Sequence, residues 1–192
     1  MEPILGGQDL QNIRKRIGSG MTYLTTDELR RLLTVAYNRN RMHHLAMLAT
    51  FIHGFRVSEL IALTDADVAN ETIACKRCKH SVQDRQPILK HRDPIWDETP
   101  LLTMKGRFFP ISAGRMWQVI QRCGQLAGIS RDKLHPHSLR HSTAMNIWEE
   151  TKNLGLVQLR MGHKSASSTL VYLRESDRMK SDSAMAAVMG RL

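Results

Sequence analysis

Apolar positions recur at helical spacing along most of the chain and change to short strand-like runs only near its middle. Thr25-Thr26-Asp27-Glu28 reads as a capping box, with a threonine hydroxyl and a glutamate three residues on exchanging bonds with each other's backbone amides. Leu29, Leu32, Leu33 and Ala36 form the stripe of the helix behind it. A second helix carries Leu45, Leu48, Ala49 and Ile52 and stops near Gly54; a third, short one carries Val57, Leu60 and Ile61. Residues 71–75, 86–89 and 107–111 then read as strands separated by polar, Pro-containing turns. Residues 90–105, with Pro94 and Pro100, read as an irregular insertion to which the sequence assigns no role. Helices return with Met116, Val119, Ile120, Cys123, Leu126 and Ala127, ended by Gly128. One more starts after Pro136 with Ala144, Ile147 and Trp148, and another carries Leu154, Val157 and Met161 up to Gly162. Residues 176–192, rich in Ala and Met, read as a last helix. The expected fold is α+β, mostly helical, with one small antiparallel sheet. Residues 1–24, where glycines flank Arg14-Lys15-Arg16, read as a linker or arm ahead of a domain at 25–192.

Charge narrows the partner. Twenty-eight Lys and Arg against eighteen Asp and Glu leave a formal charge of +10, which calls for a polyanion. A membrane surface would need a helix with one basic and one apolar face, which the pattern lacks. The apolar run at residues 45–52 is too short to span a bilayer, and no signal peptide is legible. Nucleic acid is the better reading. Three cysteines, Cys75, Cys78 and Cys123, are too few and odd for a disulfide framework and fit a reducing cytoplasm. Cys75-Lys76-Arg77-Cys78, with His80 behind it, has the spacing of half a zinc site. No second ligand pair completes it, so no metal is expected.

Four segments carry candidate chemistry: Gly54-Phe55-Arg56-Val57-Ser58-Glu59-Leu60, His137-Ser138-Leu139-Arg140-His141, Met161-Gly162-His163, and Tyr172. Each alone has a bland explanation, whether a surface arginine, a solvated His/Arg pair, a glycine helix cap or a core tyrosine. Their order and separations together resemble the tyrosine recombinase (phage integrase) family. That family carries Gly-x-Arg-x-x-Glu-Leu, then His-x-Leu-Arg-His, then Leu-Gly-His, then a Tyr nine residues after the last His. His163 and Tyr172 have that separation. The resemblance covers about residues 25 to 180.

The resemblance implies a metal-free, cofactor-free DNA strand-exchange enzyme, and the residue chemistry agrees. Tyr172 supplies a nucleophile that forms a covalent 3′-phosphotyrosyl bond, conserving the broken bond's energy so that religation needs no ATP. Arg56 and Arg140 are suited to grip non-bridging phosphate oxygens with planar, paired hydrogen bonds that lysine cannot reproduce. His163 adds a donor to the same oxygens, and His137 is the general base for the tyrosine's proton. The family also uses a lysine between its first two strands as the acid for the 5′ oxygen. Lys76 and Lys79 are the candidates, and counting back from Gln86-Pro87-Ile88-Leu89 favours Lys79. Glu59 and His141 take supporting roles.

Three departures stand out. Arg160-Met161 replaces two apolar residues, which leaves Arg160 either exposed at the helix end or against DNA. The 90–105 insertion exceeds the family's minimal hairpin. Too few residues precede Thr25 for the separate DNA-gripping domain of most members. Phe51-Ile52-His53-Gly54-Phe55-Arg56 and His135-Pro136-His137 look like the short class that includes the fimbrial phase-variation recombinases; the other reading is a catalytic-domain fragment. The implied partner is a double-stranded recombination site, bound by four protomers on two sites, with an accessory DNA-bending protein as a further possibility. The implied location is the cytoplasm of a bacterium or its mobile elements. Two other readings are a type IB topoisomerase-like enzyme and a non-catalytic DNA-binding relative. The latter would have lost Tyr172 or an arginine, and neither is lost.

Overall fold

A computed structural model describes residues 22–76, 84–163 and 169–170. Helix α1 (Thr26–Arg39) opens on the expected capping box: Thr25 Oγ1 accepts from the Glu28 amide and Glu28 Oε2 from the Thr25 amide. Its stripe of Leu29, Leu32, Leu33 and Ala36 is fully buried. Asn40 ends α1 and caps α2 (Arg41–His53) through its side chain. That helix runs through the middle of the domain, and every residue from His44 to Thr50 is buried. A short α3 (Val57–Ile61) follows.

The sheet has three antiparallel strands: β1 (Val68–Ala69), β2 (Thr72–Cys75) and β3 (Asp84–Pro87), with Ile73 opposite both Val68 and Gln86. The expected strand at residues 107–111 does not form. Its one ladder contact is an isolated bridge between Arg107 and Thr64, and Phe108 and Phe109 are buried in succession, which a strand facing a core on one side cannot do. The missed first strand is only two residues long. It is joined to β2 by Asn70 and Glu71, both with positive φ (50° and 56°), the backbone of a type I′ hairpin without its usual glycine.

Helices α4 (Ala113–Leu126), α5 (Pro136–Thr151) and α6 (Leu154–Met161) complete the domain. Leu126, read from the sequence as part of the α4 stripe, is 59% exposed. Gly124 packs inward instead, so close to Leu134 that a β-carbon there would lie 2.0 Å from it. The main core joins α1, α2, α4, the start of α5 and the sheet; Ala144, Met145, Trp148, Val157 and Met161 form a second cluster between α5 and α6. The chain is anchored ahead of Thr25, where Leu24 is buried and its amide donates to Ser142 Oγ (2.8 Å). Residues 90–105 form part of the wall of the core. They contain one 3-10 turn, Thr99–Leu102, whose Leu101 is fully buried, while Ile95, Trp96 and Met104 pack on the core. No helix among the described residues is long and apolar enough to cross a membrane.

Candidate active site built on Arg56, Arg140 and His163

Helix α2 ends at Gly54, whose φ of 62° is the left-handed conformation favoured by glycine. A β-carbon there would also lie 2.9 Å from Met161 Sδ, so the turn is closed to larger residues by contact as well as by backbone. The turn delivers Arg56 to the start of α3, where Glu59 fixes it twice. Glu59 Oε2 accepts from the Arg56 amide (2.8 Å), and Oε1 accepts from Arg56 Nη1 (2.7 Å). The Glu59 side chain is buried, whereas that of Arg56 is 32% exposed. One guanidinium face is therefore held and the side chain still reaches solvent.

Arg140 lies in the second turn of α5 and is almost completely buried. Its Nη1 donates to the carbonyl of Gly54 and lies 3.9 Å from Glu59 Oε2. Its Nη2 donates to the Met161 carbonyl (2.8 Å) and contacts His163 Nε2 at 3.2 Å. One planar group thus joins the end of α2, Glu59 and the end of α6, a task suited to a guanidinium fork. Gly162, with φ of 64°, ends α6 and turns the chain so that His163 faces Arg140. On its other edge, His163 Nδ1 is 3.0 Å from Thr169 Oγ1. The three groups singled out by the sequence as phosphate ligands therefore meet, although 107 positions separate Arg56 from His163.

His137 is exposed at the start of α5, with its ring 6.2 Å from that of His141 and inclined to it by 29°. His141 is pushed down to a pKa of about 4, first by burial and then by the positive fields of His137, His135, Arg140 and His163. It is therefore a neutral ring near pH 7, able to take part in hydrogen bonding without adding charge. Burial also lowers the pKa of His135, which caps α5 through its side chain. Cations and imidazoles outnumber the buried carboxylate of Glu59 here, so the site suits an anionic ligand.

Against this geometry, the comparisons with known proteins fall in one place. A family model described as the phage integrase family matches residues 22–179. The chain belongs to the phage integrase family. The tyrosine recombinase XerA of Thermococcus kodakarensis is 31% identical over 164 residues, covering 79% of this chain and 57% of that protein. The type 1 fimbriae regulatory protein FimB of Escherichia coli K12 is 28% identical over 171 residues, covering 78% of this chain and 82% of that one. Among solved structures, the fold is similar to that of XerA recombinase, with a TM-score of 0.67 and 23% identity over 85% of this chain and 64% of that chain. The catalytic domain of bacteriophage HP1 integrase gives a TM-score of 0.63 at 24% identity, over 81% of this chain and 88% of that chain. The chain spans a little over half the length of the XerA relatives it matches.

Within this integrase domain, Arg56, Glu59, Arg140, His141 and His163 come together, and His137 stands beside His141. Tyr172 and Lys79 lie outside the described residues. Lys76, the other candidate acid, forms an ion pair with Asp67 (2.5 Å). Arg160 is neither exposed nor turned outward. It is half-buried and its Nη1 donates to Gln86 Oε1 (2.5 Å), because the end of α6 packs against β3. Thr169 was missed by the sequence reading, having no motif around it to mark a partner for His163. Gln86, His53 and Glu98 were missed as well, since they become neighbours only through the fold.

Proposed function

We propose that this integrase domain is the catalytic part of a site-specific DNA recombinase, cleaving and rejoining strands through a covalent 3′-phosphotyrosyl intermediate on Tyr172. The observation that carries this reading is the meeting of Arg56, Arg140 and His163 from three separate elements. Arg56 and Arg140 neutralise the charge that develops on the non-bridging oxygens as the phosphorus becomes five-coordinate, and His163 donates to the same oxygens. His137, exposed and beside His141 on α5, takes the proton from the Tyr172 hydroxyl. Lys79 returns a proton to the 5′ oxygen as it leaves. In the second half-reaction the 5′ hydroxyl of another strand attacks the phosphotyrosyl bond, releases Tyr172 and restores the diester. Each phosphoester bond broken is replaced by another, so religation requires no ATP.

The partner is duplex DNA carrying a recombination site, acted on by four protomers on two sites. The fold's likeness to XerH bound to its difH substrate, and to a lambda integrase tetramer bound to a Holliday junction, supports that assembly. The formal charge of +10 supports the DNA partner independently of any relative. The test is incubation with nicked suicide duplexes bearing candidate sites, followed by denaturing electrophoresis. A covalent protein–DNA adduct is expected from the wild type and none from Tyr172→Phe. An adduct that survives that substitution would move the nucleophile elsewhere.

A further inference from the structure

A buried polar chain runs from the 90–105 segment to the end of α6. Glu98 and His53 are both wholly buried, and His53 Nε2 lies 3.1 Å from Glu98 Oε1, within ion-pair distance. On its other edge, His53 Nδ1 is 3.0 Å from Gln86 Oε1. A carbonyl oxygen can only accept, so Nδ1 donates to Gln86, while the Nε2 edge faces the carboxylate. Gln86 continues the chain to α6. Its Oε1 also accepts from Arg160 Nη1, and its Nε2 donates to the Arg160 carbonyl (3.2 Å).

The end point matters. Two neighbouring carbonyls close α6 ahead of His163, and side chains from two different elements hold them: Arg140 holds that of Met161 and Gln86 holds that of Arg160. Helix ends otherwise leave these acceptors to water. The Gly162 and His163 amides then bond back to Leu159 O and Gln158 O, both at 3.0 Å. Gln86 is in turn held by His53, and Glu98 closes the chain from the far side. Glu98 is itself pinned to the strand exit: its amide donates to the Leu89 carbonyl (3.0 Å) and its Oε2 accepts from the Leu89 amide (3.2 Å).

We propose that Glu98, His53 and Gln86 are positioning residues for His163, and that the 90–105 segment serves the reaction by supplying Glu98. This rests on reading His163 as a phosphate ligand. A buried carboxylate and imidazole are costly to desolvate, and a hydrophobic pair of the same volume would fill the space at least as stably. What the polar chain supplies is direction. Gln86 is held with its carbonyl toward His53 and Arg160 and its amide toward the α6 terminus, a choice that packing alone would not make. The test uses Glu98→Gln, which keeps the shape and the Leu89 bond but removes the charge, and Gln86→Met as a second variant.

Single-turnover adduct formation on suicide DNA is expected to slow by about tenfold or more in both, with DNA affinity unchanged. In a His163→Ala background neither change should slow the reaction further, because residues acting through one group are non-additive. Losses that multiply instead would overturn the proposal. The second readout needs no DNA. Hydrogen exchange of the Gly162 and His163 amides is expected to quicken by about tenfold in each variant while α1 is unaffected. Exchange at the wild-type rate in both variants would also overturn it. A wild type that forms no adduct would sink the recombinase reading alone, leaving the exchange result to decide the positioning.

Discussion

Arg56 and Arg140 are assigned the same chemical task, yet the structure gives them different mechanical ones, and that difference can be measured. Arg140→Ala removes a buried cation whose fork holds the Gly54 and Met161 carbonyls and touches His163. It also leaves the Glu59 carboxylate, 1% exposed, with one fewer cation 3.9 Å away. Breaking a buried charge arrangement from one side costs about 3–5 kcal/mol. For a chain of 192 residues each kcal/mol moves the melting temperature by about 2–4 °C, so a fall of roughly 6–20 °C is expected. Arg56→Ala removes a side chain that is 32% exposed and leaves Glu59 the Arg56 amide and Arg140. Arg56 is part-exposed but the carboxylate it holds is buried, so the expected cost is about 1–3 kcal/mol, at or below the low end of that for Arg140→Ala. Thermal and urea melts of the two variants, followed by circular dichroism, measure both costs directly. Suicide-substrate assays below both melting temperatures are expected to show adduct formation lost in each. Equal melting temperatures for Arg140→Ala and wild type would refute the claim that Arg140 braces α2 against α6.

Gly54→Ala places a β-carbon at positive φ and against Met161 Sδ, so a stability loss of at least about 1–2 kcal/mol is expected in urea titration. His141 has a folded pKa of about 4 against an ordinary 6.5, so the unfolded chain binds more protons between those values. Its contribution is therefore full above about 6.5 and lost as the pH falls toward 4. His141→Asn should flatten the fall in stability between pH 7 and pH 5 seen in wild-type urea melts, and an unchanged slope would count against the assignment. Thr169→Val removes the partner of His163 Nδ1 and is expected to slow adduct formation by about tenfold while DNA affinity, read by filter binding, stays level.

The helices were legible because their stripes and caps are local. Thr25 with Glu28, the α1 stripe, Gly54 and Gly162 declare themselves within a few residues, where propensity and periodicity act. The sheet was read less well because its evidence is non-local. A two-residue β1 has no periodicity to detect, and residues 107–111 imitate a strand although Phe108 and Phe109 are both buried. In the site, order and spacing named Arg56, Arg140 and His163, since recombinase-like motifs survive as short boxes along the chain.

What the chain alone determined was therefore the identity of its chemical groups and the helices that carry them. The tertiary structure decided which groups touch. Only folding puts Glu59 between two arginines, turns Arg160 inward onto Gln86, and brings Glu98 from the 90–105 segment against His53. Such contacts join residues up to 81 positions apart, Glu59 and Arg140, and they form because burial forces each polar group to find a partner wherever packing leaves one. Local sequence carries no record of that choice.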